Sequence, residues 1–302
     1  MDIRGVAIED TFAEAFGMRA ARVLITAVSA RWAREAALKM TGFATSVIAC
    51  KCEAAIEREW TPDQTPDARP GVSVLIFTMD SEGLEKRLTE RIGQTVLTCP
   101  TTSCFDGLPD AADRLPAGRA LRVFGDGFQI SKVVGGRRFW RVPVMDGEFL
   151  CEETTGMVRA VGGGNFLVLA EHQGAALAAV EAAIEAMRRV PNVIMPFPGG
   201  VVRSGSKVGS KYKAMVASTN DAFCPTLRGV TKTELTPDIG CVMEIVIDGL
   251  TEADVRNAMQ AGMQAVCALG AAKGIRRISA GNYGGKLGPF HFKLHEIMKG
   301  AA

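Results

Sequence analysis

Four times along the chain, an apolar run rich in β-branched residues is followed by an amphipathic stretch and then a second apolar run. ARVLITAV (21–28) predicts a strand, then a helix opened by Ser29 and closed near Gly42, then a strand over ATSVIAC (44–50). Trp32, Ala36 and Met40 recur at a spacing of four, which places them on one helix face. GVSVLIFTM (71–79) leads into a helix carrying Leu84, Leu88 and Ile92, ended by Gly93, and then a strand over TVLTC (95–99). NFLVLAE (165–171) precedes a helix with Leu177, Val180, Ile184 and Met187, then NVIMPF (192–197). CVMEIVIDG (241–249) precedes a helix from Thr251 with Val255, Met259 and Val266, then IRRISA (275–280).

Two strand–helix–strand units per half predict an α+β protein of two ferredoxin-like (βαββαβ) lobes. The first is expected over 1–150 and the second over 151–302. Each would carry helices on one sheet face, and the other face must be covered by insertions, the second lobe or another subunit. VFGDGF, VVGGRRFW and VPVMDGEFL within 100–164 are hairpin signals, so the first lobe gains a β-rich insertion. Residues 197–240 show no periodicity over about 44 positions, far beyond the usual 12–15 for an idle loop. Their Val, Met, Tyr and Phe and their modest charge predict an ordered functional loop, not a disordered one.

Composition narrows the function classes. The net charge of +2 provides no global field for nucleic acid or acidic membranes. No apolar run approaches the ~20 residues that span a bilayer, and the first residues lack signal-peptide order. A cytoplasmic protein is expected, with its eight cysteines reduced. Neither Cys50 and Cys52 nor Cys99 and Cys104 have paired CxxC spacing, and the three histidines stand at no familiar distance from them, so no metal site is expected. GSKVGSKY (205–212) fails the phosphate-loop spacing, and GGGN (162–165) precedes a strand where a dinucleotide motif would follow one. A Ser206 or Cys224 nucleophile lacks a neighbouring histidine. RNA binding on this plan would want aromatics on the central strands, which offer only Phe77 and Phe166.

Glu244 stands out as a carboxylate in mid-strand, with Val242 and Val246 on its own face. Poor hydration favours the neutral form, and a raised pKa suits a proton shuttle near neutral pH. The competing reading is an edge-strand glutamate facing water or paired with an arginine. Asn165, Asn282 and Asp126 are read first as turn residues, with amide donors to a ligand as the alternative for the two asparagines. Arg203, Lys207, Lys211 and Lys213 put cations on a Gly/Ser backbone, which suits either an anionic small molecule or solvent.

The segments IEDTFAEAF (8–16), RPGVSVLI (69–76), GNF (164–166), PFPGG (196–200), SKVGSKY (206–212), STNDAFCPT (218–226), EIVIDGL (244–250) and ISAGNYGGKLG (278–288) run in order nearly from end to end. Together they resemble the formylmethanofuran–tetrahydromethanopterin formyltransferase family. The resemblance implies two ferredoxin-like lobes and formyl transfer between the amine of methanofuran and N5 of tetrahydromethanopterin. The two carriers are then substrates, with no bound cofactor. It also implies a homotetramer. The near-neutral charge and many cysteines look more like the bacterial member, a subunit of a formyltransferase/hydrolase complex, with a dephospho pterin and flow toward formate. Under it, Glu244 is the proton-moving group, and Ser206, Lys207, Gly209, Lys211, Asn220 and Asp221 bind the carriers, the lysines meeting a glutamyl tail. The competing function is a scaffolding subunit with weak activity of its own.

Overall fold

The computed structural model describes residues 1–300, as a mixed α and β protein with seven α-helices among them. Contacts divide the chain into two compact units, Met18–Ala160 and a second made of Met1–Gly17 with Val161–Ala302. No helix among the described residues is long and apolar enough to cross a membrane.

In the Met18–Ala160 unit, strand Phe12–Thr26, from Met18 onward, pairs antiparallel with Gly71–Thr78 on one side and Ser103–Asp106 on the other. Gly71–Thr78 in turn pairs with the edge strand Glu53–Trp60. Helices Ala30–Thr41 and Ser81–Arg91 cover one face through Ala36, Met40, Leu84 and Leu88, all buried. Two expected strands are corrected. ATSVIAC turns instead into a short helix, Val47–Cys50, because the Ser46 hydroxyl caps it by accepting from Ile48 N–H; the strand begins only at Glu53. Gly93 does not end the second helix. The chain continues through a π-turn at Ile92–Val96 that buries Ile92 and Val96, so the strand comes later, at Ser103–Asp106. The insertion holds Ile130–Val134, Arg137–Val144 and Gly147–Glu152, joined by hairpins at Gly135–Gly136 and Met145–Asp146. VFGDGF is no hairpin. It ends a 3-10 turn, and Asp126 takes the left-handed conformation there at φ 51°.

The other unit repeats the strand order. Thr155–Ala170, from Val161 onward, pairs with Cys241–Gly249 and Ile275–Ser279, and Cys241–Gly249 pairs with the two-residue edge Val193–Ile194. The parallel neighbour Val6–Ile8 extends this sheet beyond Ile275–Ser279. Helices Gln173–Met187 and Glu252–Leu269 lie on one face, packed closely through Ala176, Ala179, Ala183 and Gly262. A Cβ at Gly262 would sit 2.6 Å from the Met187 sulfur and 2.9 Å from the Phe166 ring. Phe166 is fully buried beneath them, an arrangement that contributes roughly 1.5–3 kcal/mol. Leu177, expected on the apolar stripe, is exposed.

Candidate active site

Along Cys241–Gly249, Met243, Ile245 and Ile247 are buried toward the helices, whereas Val242, Glu244 and Val246 are half-buried on the opposite face. Register on the neighbouring strands places Asn165 opposite Val246, Leu167 opposite Glu244 and Ser279 opposite Leu167. The long 197–240 segment covers part of this face: Leu235 and Ile239 pack on Leu167 and Leu169, with Phe223 and Val242 beside them. The segment starts on the same strand, since Val202 bridges to Glu244 through a pair of backbone hydrogen bonds. An uncovered apolar face would be unstable in water, and shielding it is the first thing this irregular chain does.

Burial pushes the Glu244 carboxyl up to about 7. Among the described residues no hydrogen-bond donor offsets the lost hydration, so the neutral acid is favoured. A carboxyl that titrates near neutrality takes up and gives back a proton with little cost in either direction.

The Glu244 charge reaches Tyr283, a residue that periodicity did not single out. The Ser206 hydroxyl lies near enough to act on its phenol. Burial, then the nearby Glu244 charge, raises the phenol above its ordinary value, so it stays a neutral donor at neutral pH. Of the residues expected in binding, Ser206 is the one whose side chain acts on the Tyr283 phenol.

The remainder form a small ribbon. Lys207–Val208 pairs with Ala217–Ser218, and the Ser218 hydroxyl donates to the Gly209 carbonyl at 2.7 Å. Gly209 adopts φ 79°, which a side chain would strain. The Lys207 ammonium donates to Asp221 at 2.8 Å and lowers that carboxyl's pKa, so these two expected binding residues first bind each other. Asn220 packs against Gly205, where a Cβ would come within 3.0 Å. Lys211 and Lys213 are exposed. Cys224 donates its thiol to the Asn220 carbonyl at 3.3 Å.

Asn165 serves the turn. Its amide donates to the Gly163 and Gly281 carbonyls, and its oxygen accepts from Gly281 N–H at 2.6 Å. Asn282 donates to the Thr11 hydroxyl at 3.1 Å. Among the described residues, no group of three or more His, Cys, Asp or Glu converges as a metal site would. Burial pushes the thiols of Cys151 and Cys267 up to about 12 and about 11, leaving them protonated and unreactive at neutral pH.

Two family models match the chain. The one described as formylmethanofuran-tetrahydromethanopterin formyltransferase matches residues 1–144, and the one described as FTR, proximal lobe, matches residues 147–297. A formylmethanofuran–tetrahydromethanopterin formyltransferase of Methylobacillus flagellatus is 70% identical over 99% of this chain and 100% of its own length. A subunit of the formyltransferase/hydrolase complex of Methylorubrum extorquens is 48% identical over 98% of this chain and 97% of its own. A crystal structure of the formyltransferase/hydrolase complex from Methylorubrum extorquens, in complex with methylofuran, contains a chain that superposes with a TM-score of 0.96 at 48% identity, covering 99% of this chain and 98% of that one. The formyltransferase structure from Methanosarcina barkeri superposes with a TM-score of 0.93 at 50% identity, covering 98% of this chain and all of that one.

Proposed function

Since the chain belongs to the formylmethanofuran–tetrahydromethanopterin formyltransferase family, we propose that Glu244 carries the proton during formyl transfer. The enzyme moves a formyl group between methanofuran and tetrahydromethanopterin, and both carriers are its substrates. The scaffolding reading is not favoured, because the relatives matched over their whole length are named as the enzyme itself.

The transfer is an exchange of one C–N bond for another. The nitrogen of the acceptor, N5 on the pterin, attacks the formamide carbon with its lone pair, and the carbonyl oxygen takes up the displaced π electrons. Glu244 accepts the proton from the attacking nitrogen. The oxygen lone pair then re-forms the carbonyl, the old C–N bond breaks, and Glu244 returns its proton to the departing amine. Atoms and charge balance without a further reactant, and the reverse reaction uses the same carboxyl. The single observation that carries this reading is the Glu244 carboxyl held near 7 by burial on the face the long loop covers. Hydrogen-bond donors near the tetrahedral oxygen lower the barrier further, and holding both carriers together removes most of the entropic cost of a bimolecular step.

For carrier binding we propose Ser206, Lys207, Gly209, Lys211, Asn220 and Asp221, with Lys207 and Lys211 toward the carboxylates of a glutamyl tail. Their grouping around one ribbon, in the segment that bridges to Glu244 at Val202, supports this. The dephospho pterin, a cytoplasmic location, and assembly as a homotetramer or within a formyltransferase/hydrolase complex belong to the same proposal. So do ferredoxin-like lobes divided near residue 150, supported by the repeated strand order and by family models that meet between 144 and 147. Replacing Glu244 with Gln tests the mechanism: turnover falls by about 10²–10⁴-fold while carrier binding changes little. Near-normal turnover in that variant removes Glu244 from the reaction.

A further inference from the structure

Arg277 ties the return limb of the long loop to the sheet that carries Glu244. On strand Ile275–Ser279, Arg277 stands opposite Leu169 and Ser279 opposite Leu167, and Leu167 stands opposite Glu244 on its other side. Directly opposed residues of antiparallel strands share a face, so all five lie on the face that the loop covers. The Arg277 guanidinium, 20% exposed, donates to the Glu234 carbonyl at 2.6 Å and pairs with the Glu9 carboxylate at 2.9 Å. Glu9 is itself held in place: its N–H donates to the Ile278 carbonyl at 3.0 Å, and its other carboxyl oxygen accepts from the Ser279 hydroxyl. The residue after Glu234 is Leu235, buried with Ile239 against Leu167 and Leu169, and Phe223 and Val242 pack on the same cluster. This cover therefore reaches both immediate neighbours of Glu244 on its face, Leu167 across the strand and Val242 two residues before it. Val202 and Gly240 fasten the ends of the segment to the sheet, Val202 to Glu244 and Gly240 by its N–H to the Ala170 carbonyl. Arg277 fastens the limb between them.

We infer that Arg277 is a positioning residue for formyl transfer: by tying Glu234 to Glu9 it holds Leu235 down on Leu167 and keeps bulk water away from the Glu244 carboxyl. The inference rests on the reading of Glu244 as proton carrier and adds to it the device that keeps that carboxyl dry. Packing alone holds an irregular limb weakly. Burying one leucine contributes roughly 1.5–3 kcal/mol, whereas ordering each loop residue costs about 1–2 kcal/mol. A charge-assisted hydrogen bond from a mostly buried guanidinium, itself paired with a fixed carboxylate, adds a strong and directional restraint. Glu9 and Arg277 cancel one another and the Tyr283 phenol stays neutral, so hydration governs the Glu244 carboxyl. The sign of the effect is therefore distinctive. Loss of the Arg277 charge leaves Glu9 negative, which can only push a neighbouring carboxyl up, whereas entry of water brings it down.

The test reads the Glu244 carboxyl directly, by NMR titration of labelled glutamate carboxyl carbons in the full-length protein, with the resonance assigned by its absence in Glu244→Gln. In Arg277→Met the midpoint should fall by at least about one pH unit, from near 7 toward the ordinary glutamate value of about 4.3. Arg277→Lys, which keeps a donor cation on a long arm, should restore most of the wild-type midpoint. Val266→Ala, in the helix core, is the control for stability alone and should leave the midpoint in place. The limb of kcat/KM should move with the carboxyl in each variant. If Arg277→Met does not fold, Arg277→Gln is held to the same criterion. An unmoved or raised midpoint overturns the inference even when turnover falls, and so does an equal shift in Val266→Ala. The proton-carrier reading is judged separately, on whether the wild-type rate follows the titration of its own carboxyl. A rate limb that vanishes in Glu244→Gln, alongside an unmoved midpoint in Arg277→Met, sinks this inference and leaves that reading standing. A midpoint that falls in Arg277→Met while the rate ignores it removes Glu244 as proton carrier, and Arg277 from the reaction with it.

Discussion

Glu244 and Val202 exchange a pair of backbone hydrogen bonds, Glu244 N–H to the Val202 carbonyl at 3.0 Å and Val202 N–H to the Glu244 carbonyl at 2.8 Å. The long irregular segment therefore leaves the sheet at the residue proposed to carry the proton. Ser206 follows four positions later, so the loop and the carboxyl are held in one frame.

The raised carboxyl has a consequence for stability. The folded state holds the Glu244 proton up to about pH 7, whereas an unfolded glutamate releases it near about 4.3. Burying the charge thus costs nothing below about pH 4, costs more as pH rises toward 7, and stays costly above it. Glu244→Gln should stabilise the protein by on the order of 2 kcal/mol at pH 8 and leave it unchanged at pH 4. Urea unfolding at the two pH values measures this; equal effects at both would show that the side chain is hydrated.

Glu14, fully buried on strand Phe12–Thr26, has the opposite sign, because its carboxylate accepts backbone N–H from Tyr283, Gly285, Leu287 and Gly288. Its folded value of about 2 lies below the unfolded one, so its stabilisation is complete above about pH 4.3 and disappears as pH falls toward 2. Wild type should lose on the order of 2–3 kcal/mol over that window relative to Glu14→Gln. Parallel acid-unfolding curves for the two proteins would contradict the four-donor arrangement.

Lys207 tests the binding ribbon. Lys207→Ala should weaken a carrier with a long glutamyl tail more than a truncated one. Asp221→Asn, which releases the lysine from its partner at 2.8 Å, should weaken the tailed carrier less than Lys207→Ala does. Calorimetric titration with both carriers separates a tail contact from simple loosening of the hairpin, which would cost both equally.

Gly288 tests the packing of the 283–288 loop. An added methyl group would sit 2.1 Å from the Ala15 carbonyl oxygen, so Gly288→Ala should cost on the order of 2–3 kcal/mol. Wild-type stability in thermal unfolding would mean that the loop yields to the methyl group and is not fixed by its four anchors.

Strand–helix alternation was legible because burial on one side of each element leaves a period in the sequence. The repeated core strands and all four long helices follow from it. Periodicity misled where a short apolar run had two outlets. ATSVIAC has strand composition, but Ser46 caps a helical turn; Ile92 to Val96 continues a helix past the glycine expected to end it. Glu244 was legible as a carboxylate among valines, and Ser206 as a hydroxyl in a glycine-rich loop. Tyr283 and Glu14 were not, because their relation links residues 269 positions apart through main-chain N–H groups that carry no side-chain signature. The available signals were a lone acid inside the apolar FAEAF run and the spacing of glycines in NYGGKLG. The Lys207–Asp221 pair was equally hidden, since each residue alone reads as a free charge on a loop.

The pH dependence of kcat/KM, measured from formylmethanofuran toward tetrahydromethanopterin, tests the central claim most directly. Glu244 must be ionised to accept the proton of the attacking nitrogen, so the rate should rise with pH and level off above a midpoint near 7. That limb should vanish in Glu244→Gln. A wild-type midpoint near about 4.3, the value of a hydrated glutamate, or a limb that persists in the variant, would contradict it.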